Sequence, residues 1–154
     1  MNSIKDFASQ FNTNLKLDQN LIVKKENRYF LLNSKLEKLI SKDFFCAGTY
    51  LGKTKDGKFF PSFILLAIIA EKENANKIII NEKTEWLFTC GKDIFKQGII
   101  SVTGSKRKGD NTLILNQHEE CLGFGKILHN LDEEKEGVAV RNISDVGDFL
   151  RREQ

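Results

Sequence analysis

Apolar residues recur at Ile4, Phe7, Ala8 and Phe11, the i, i+3, i+4, i+7 spacing of one helix face. Ser3 stands just before them with Asp6 three residues on, so the pattern predicts a short amphipathic helix capped by Ser3. The runs NLIVKK and RYFLLN flank ENR and predict a two-stranded hairpin. In NSKLEKLIS, Ser34 and Glu37 have the spacing of a capping box, and Leu36, Leu39 and Ile40 share one face. FFCAGTYLGKT and GKFFPS predict two more strands around the turn KDG. SFILLAIIAEKE has no polar face; its length, with a capping serine after Pro61, favours a buried helix over a strand.

After KENAN the pattern changes. KIIIN reads as a strand, and EKTEWLFTC as a turn or two of helix ended by Gly91. IISV, TLILN, CLGFGKIL and GVAVRN are short β runs separated by Gly, Asn and Asp, a spacing that points to a compact β-barrel-like module. SDVGDFLRRE closes the chain as a helix with Val146, Phe149 and Leu150 facing inward. The fold class expected is therefore α+β: an α/β sandwich with an antiparallel sheet over residues 1–74, then a β pseudo-barrel over residues 75–154.

Composition narrows the setting. The longest apolar run, FILLAIIA, is far shorter than the roughly 20 residues a membrane helix needs. MNSIKDFASQ lacks the apolar stretch of a signal peptide, so a soluble, cytoplasmic protein is expected, or a nuclear and nucleolar one in a eukaryote. Cys46, Cys90 and Cys121 are odd in number and widely spaced, which excludes a disulfide framework and a CxxC zinc knuckle and leaves buried structural thiols as the expectation. Residues 1–74 hold 12 bases and 8 acids, residues 75–154 hold 12 and 13, so any nucleic-acid surface must be a local patch.

No catalytic set emerges. His118 and Cys121 form an HxxC pair without a second pair to complete a tetrahedral metal site. LGFGK lacks the spacing of a phosphate loop, and its glycines fit a bulge or close packing within a strand. Neither an enzyme, a metal nor a cofactor is expected.

Three basic clusters remain. Lys106, Arg107 and Lys108 occupy a loop between strands, where a charged, solubilising hairpin tip is the plain alternative to a binding patch. Lys92 and Lys96 are four apart and project the same way if their segment is helical. Arg151 and Arg152 end the last helix, where favourable dipole placement and an Asp148–Arg152 pair explain them without a ligand. In the stretch between Gly91 and Gly98, Gly91 is expected to accept a left-handed cap and Gly98 to free the next strand's entry. Phe88, Ile94 and Phe95 are expected to anchor that stretch in the core.

WLFTCGKDIFKQGI, CLGFGK and ISDVGDFLRRE, in this order and spacing, resemble a PUA domain. More narrowly, they resemble the PUA domain of the large-subunit ribosome biogenesis family named for nuclear import protein seven. AGTYLGK, then KFF and the buried-helix run, is similar to that family's pre-PUA domain. The likeness is firmest from Cys46 onward and loose over residues 1–43, and the short amino terminus is more similar to the archaeal members. The resemblance implies a non-catalytic, monomeric RNA-binding factor in large-subunit assembly and rRNA processing. Its partners would be ribosomal RNA or its precursor and other assembly factors, with no membrane involved. It implies an interface including Arg151 and Arg152 on the last helix and Lys92 and Lys96 near the preceding turn, with Lys106, Arg107 and Lys108 as further candidates. The alternative is a protein–protein adaptor that uses the PUA domain as a scaffold. The acidic run DEEKE lies close to the last strand and opposes RNA there.

Overall fold

The computed structural model describes residues 2–39 and 47–152; the side chains of Asn2, Leu39, Phe149 and Arg152 lie outside that description. Helix α1 (Asn2–Ser9) buries Ile4, Phe7 and Ala8, and Phe11 follows them into the core. Ser3 lies within its first turn and is not its cap. Strands β1 (Ile22–Lys25) and β2 (Arg28–Leu31) form the expected hairpin, turning at Glu26 with φ +55°. Helix α2 (Ser34–Leu39) is capped by Asn33, whose Oδ1 accepts from the backbone N of Lys35 and of Leu36 at 3.1 and 2.8 Å. The helix thus begins one residue earlier than a Ser34 capping box requires. Ile40 and Cys46 fall outside the described residues. Strands β3 (Thr49–Lys55) and β4 (Lys58–Pro61) complete an antiparallel sheet of order β1-β2-β3-β4. Helix α3 (Phe63–Ala70) is capped by Ser62 Oγ, which accepts from Leu65 N at 3.1 Å.

The rest of the chain builds a curled six-stranded sheet with α4 (Glu82–Thr89) packed on it through Thr84 and Phe88. Its strands are β5 (Lys77–Ile80), β6 (Ile94–Phe95), β7 (Ile99–Thr103), β8 (Asn111–Leu115), β9 (Cys121–Ile127) and β10 (Val138–Asp145), in the order β6-β10-β9-β8-β5-β7. Only β5 and β8 run parallel. Helix α5 (Val146–Arg152) follows β10 directly.

Period-2 alternation sorts this sheet's residues between two cores. Ile78 and Ile80 of β5, Ile114 of β8, Ile127 and Val140 join Phe88 and Ile94 inside the curl. Leu113, Leu115 and Phe124 face the other way and pack with Phe7, Phe11, Leu51, Leu65 and Ile69 of the first half. The apolar run TLIL is thus buried on both faces. Asn76 ties the halves together: its N donates to Phe11 O, its O accepts from Leu113 N, and its side chain bonds Asn111 O and Ser105 N.

The glycines of LGFGK have steric causes. A Cβ on Gly123, at φ +149°, would lie 2.0 Å from Ser144 O, beside a register shift in β10. Gly98 differs from the sequence expectation. Its φ is not positive; a Cβ there would lie 2.1 Å from Thr84 Oγ1, so close packing against α4 requires it. Phe95 and Leu150, expected inside, are exposed, because β6 is an edge strand and α5 turns that face outward.

Candidate nucleic-acid interface

Helix α4 starts from Asn81, whose Oδ1 accepts from Thr84 N at 2.9 Å, and buries Thr84 and Phe88. It stops where Gly91 takes the left-handed conformation, φ +84°, and donates its N–H to Phe88 O. Lys92 and Asp93 lead from there into β6. Strand β10 brings Asn142 to the same place. The Asn142 backbone N donates to Asp93 Oδ1 at 2.8 Å, and its amide donates to Phe88 O at 3.0 Å and Asp145 Oδ2 at 3.1 Å. A longer contact, 3.4 Å, reaches Lys92 O.

Asp145 is 3% exposed. Its Oδ1 accepts from Asp148 N at 2.8 Å and so caps α5. From the far end of α5, Arg151 Nη1 donates to Thr89 O at 2.9 Å and Nη2 lies 3.4 Å from both Asp145 oxygens. A buried carboxylate needs such partners. The arginine therefore caps the carboxy terminus of α4, where a cation is favoured, as well as standing near the end of its own helix. A guanidinium has five N–H donors, and among the described residues these contacts leave Nε–H and one Nη1 hydrogen unused. The Arg151 side chain is half exposed. Asn142, Asp145 and Gly147, which build this corner, are legible only once distant strands are joined; the D-x-x-D spacing of Asp145 and Asp148 is the local trace of the cap.

The seven predicted cations divide. Lys92, whose N donates to Leu87 O, and Arg151, which donates to Thr89 O, each bond the last turn of α4, and Arg152 lies in α5 with its side chain outside the description. Lys92 and Lys96 do not share a helical face, since residues 92–95 are not helical. Lys96 Nζ donates to Leu131 O and, at 3.4 Å, to Glu133 O. Lys106 pairs with Asp132 at 2.8 Å and Arg107 with Asp110 at 3.4 Å. Lys108 is exposed at the tip of that loop. The acidic run thus engages Lys106 through the Asp132 carboxylate and Lys96 through the Glu133 carbonyl. Beside it, a polar cavity of about 670 Å³ opens between the end of α1 and loop 104–110, lined by Gln10, Asn12, Asn76, Arg107 and Asn130 among others.

The thiols separate as well. Cys90 is exposed, because the helix ends there, contrary to the expectation of a buried thiol. Cys121 is half-buried, and burial pushes its pKa up to about 11. His129 is buried with Nδ1 donating to Asn130 O at 3.1 Å. Among the described residues, no three His, Cys, Asp or Glu side chains gather as a metal site.

Comparison with known proteins agrees with this architecture. A protein of Thermoplasma acidophilum, described as a conserved PUA domain protein, superposes with a TM-score of 0.63 at 22% identity, covering 97% of this chain and 91% of that one. A Pyrococcus horikoshii OT3 protein superposes at a TM-score of 0.54 and 16% identity over 85% of this chain and 76% of that one. At these identities the likeness is one of fold. A UPF0113 protein of Archaeoglobus fulgidus is 32% identical over 89 residues, 54% of this chain and 49% of that protein, so the match spans about half the relative's length. Residues 76–154, just over half of the chain, match the family described as the UPF0113 PUA domain. The chain belongs to the UPF0113 PUA-domain family.

Proposed function

We propose that this protein is a non-catalytic, monomeric RNA-binding factor of the cytoplasm that serves large ribosomal subunit assembly. It would be an archaeal relative of the nuclear import protein seven family, with precursor or mature ribosomal RNA as its ligand. The observation that carries the reading is the corner of α4, β10 and α5 in a PUA-family chain. There Arg151 is fixed on one edge by Thr89 O and Asp145 and keeps unused donors on a half-exposed side chain. A guanidinium held this way forks onto phosphate oxygens with little further loss of side-chain freedom. Lys92 and Arg152 are further members of the proposed interface, Lys108 is an exposed one on the 104–110 loop, and Lys96, Lys106 and Arg107 contribute only where RNA displaces their present partners.

The test is the salt dependence of binding to single-stranded RNA. Each phosphate contact contributes about 0.7 to the slope of log K against log salt, so Arg151→Ala with Arg152→Ala reduces it by about 1.4. An unchanged slope and affinity removes the corner from the interface.

A protein–protein adaptor is the second reading. It is favoured by the ion pairs that hold Lys106, Arg107 and Arg151, and by a groove of about 550 Å³ with Glu71, Glu119 and Glu120 around Ala67, Ile79 and Cys121. Capture of an assembly factor that survives nuclease and the loss of both arginines selects it.

A further inference from the structure

Strand pairing sets Asn111 of β8, Lys126 of β9 and Arg141 of β10 directly opposite one another in a single row. Residues so paired share a face of the sheet with Cβ atoms about 4.5–5.5 Å apart. Lys126 and Arg141 are both exposed, and among the described residues neither side chain has an ion pair or a hydrogen bond. Like charges placed directly across a strand pair destabilise the sheet. The strands cannot spread to relieve it. A Cβ on Gly125, next to Lys126, would lie 2.5 Å from Arg141 O, so β9 and β10 are in close contact there. At its other end the row is tied to the residue that follows α1, where Asn111 Nδ2 donates to Gln10 Oε1 at 2.8 Å.

This row is separate from the arginine corner. Asn142, the next residue after Arg141, points to the opposite face and serves α4 and Asp145, and the register shift in β10 begins only after it.

We propose that Lys126 and Arg141 form a second phosphate-binding site, which holds the backbone of a single RNA strand across the outer face of β9 and β10. The assignment rests on the RNA-binding reading above and extends it to two cations outside the seven predicted ones. A phosphate between the two side chains offsets their repulsion. A strand that continues along the row meets the amide of Asn111, and beyond it Gln10 at the rim of the polar cavity.

Labelled single-stranded U20 is titrated at several salt concentrations against the full chain and two variants. Lys126→Ala with Arg141→Ala reduces the slope of log K against log salt by about 1.4, at about 0.7 per contact. Lys126→Glu makes an attractive cross-strand pair with Arg141, so it raises the melting temperature while reducing the slope by at least about 0.7. More stable and weaker in binding is a combination that misfolding does not produce. Binding with an unchanged slope in both variants overturns the row and leaves the RNA reading in place. A lower melting temperature for Lys126→Glu overturns the opposed-charge geometry on which the row depends. Failure of the unaltered chain to bind U20 overturns row and reading together.

Discussion

Gly147 of α5 lies against the carbonyl oxygen of Thr89 at the end of α4, so closely that a Cβ on it would stand 1.9 Å from that oxygen. The same carbonyl receives Arg151 Nη1 at 2.9 Å. The absent side chain is what lets the arginine reach the end of α4. Gly147→Ala should force the helices apart and cost about 1–3 kcal/mol, the usual range for overpacking. A urea titration reads it as a lower midpoint at unchanged slope.

Arg151→Ala leaves Thr89 O and one side of the buried Asp145 carboxylate without their donor. A loss of about 1–3 kcal/mol is expected. Arg151→Lys keeps the charge and loses the fork, so it should recover only part of that stability in the same titration. Equal stability of both variants with the unaltered chain would show that the guanidinium does not brace the corner.

Gly98 and Thr84 form a second tight pair, with Thr84 Oγ1 2.1 Å from the place of a Cβ on Gly98. Gly98→Ala is expected to cost about 1–3 kcal/mol. Thr84→Ala removes the two nearest of the three clashing atoms, so the double variant should lose less than the sum of the two single losses. Strict additivity in that cycle would place the strain elsewhere.

Cys121 gives a dependence on pH. Burial raises its pKa from 9.0 to about 11, so the folded chain holds this proton more tightly than the unfolded chain. The sign follows: the stabilisation is complete below pH 9 and is lost as pH rises through 11. The shift corresponds to about 2–3 kcal/mol at most. Cys121→Ala should flatten that stretch of the stability curve. In a Cys46→Ser background at neutral pH, alkylation should label exposed Cys90 well before Cys121.

Phe124 joins the halves, with its ring 5.6 Å from those of both Phe7 and Phe11, edge to face. Phe124→Ala should cost about 3–5 kcal/mol. Because one core draws on both halves, heat should unfold the chain in a single transition, in the variant as in the original; two separated transitions would refute that coupling.

Local pattern was a good guide where one element decides the matter. Ile4, Phe7, Ala8 and Phe11 form a face by spacing alone, Ser62 caps α3 because a serine heads an apolar run, and Gly91 ends α4 as a helix-stopping glycine does. It was a poorer guide where a neighbour from elsewhere decides. Asn33 displaced Ser34 as cap of α2, and Leu150 turned outward although its spacing resembles that of a core residue. Gly98 answers to Thr84, and Lys96 to carbonyls 35 and 37 residues away. The corner needs contacts such as Asn142 with Asp93 and Arg151 with Thr89, 49 and 62 residues apart, and no window on the sequence joins them. Lys126 and Arg141 became a pair only when the register of β9 on β10 was fixed.

Strand β8 hands Leu113 and Leu115 to one interior and Ile114 to the other. Loss or gain of a single residue along it would exchange the occupants of both interiors in one step. Neither half can therefore be swapped for a relative's without rewriting the lining of its neighbour, and the two are bound to change over evolutionary time as one inheritance.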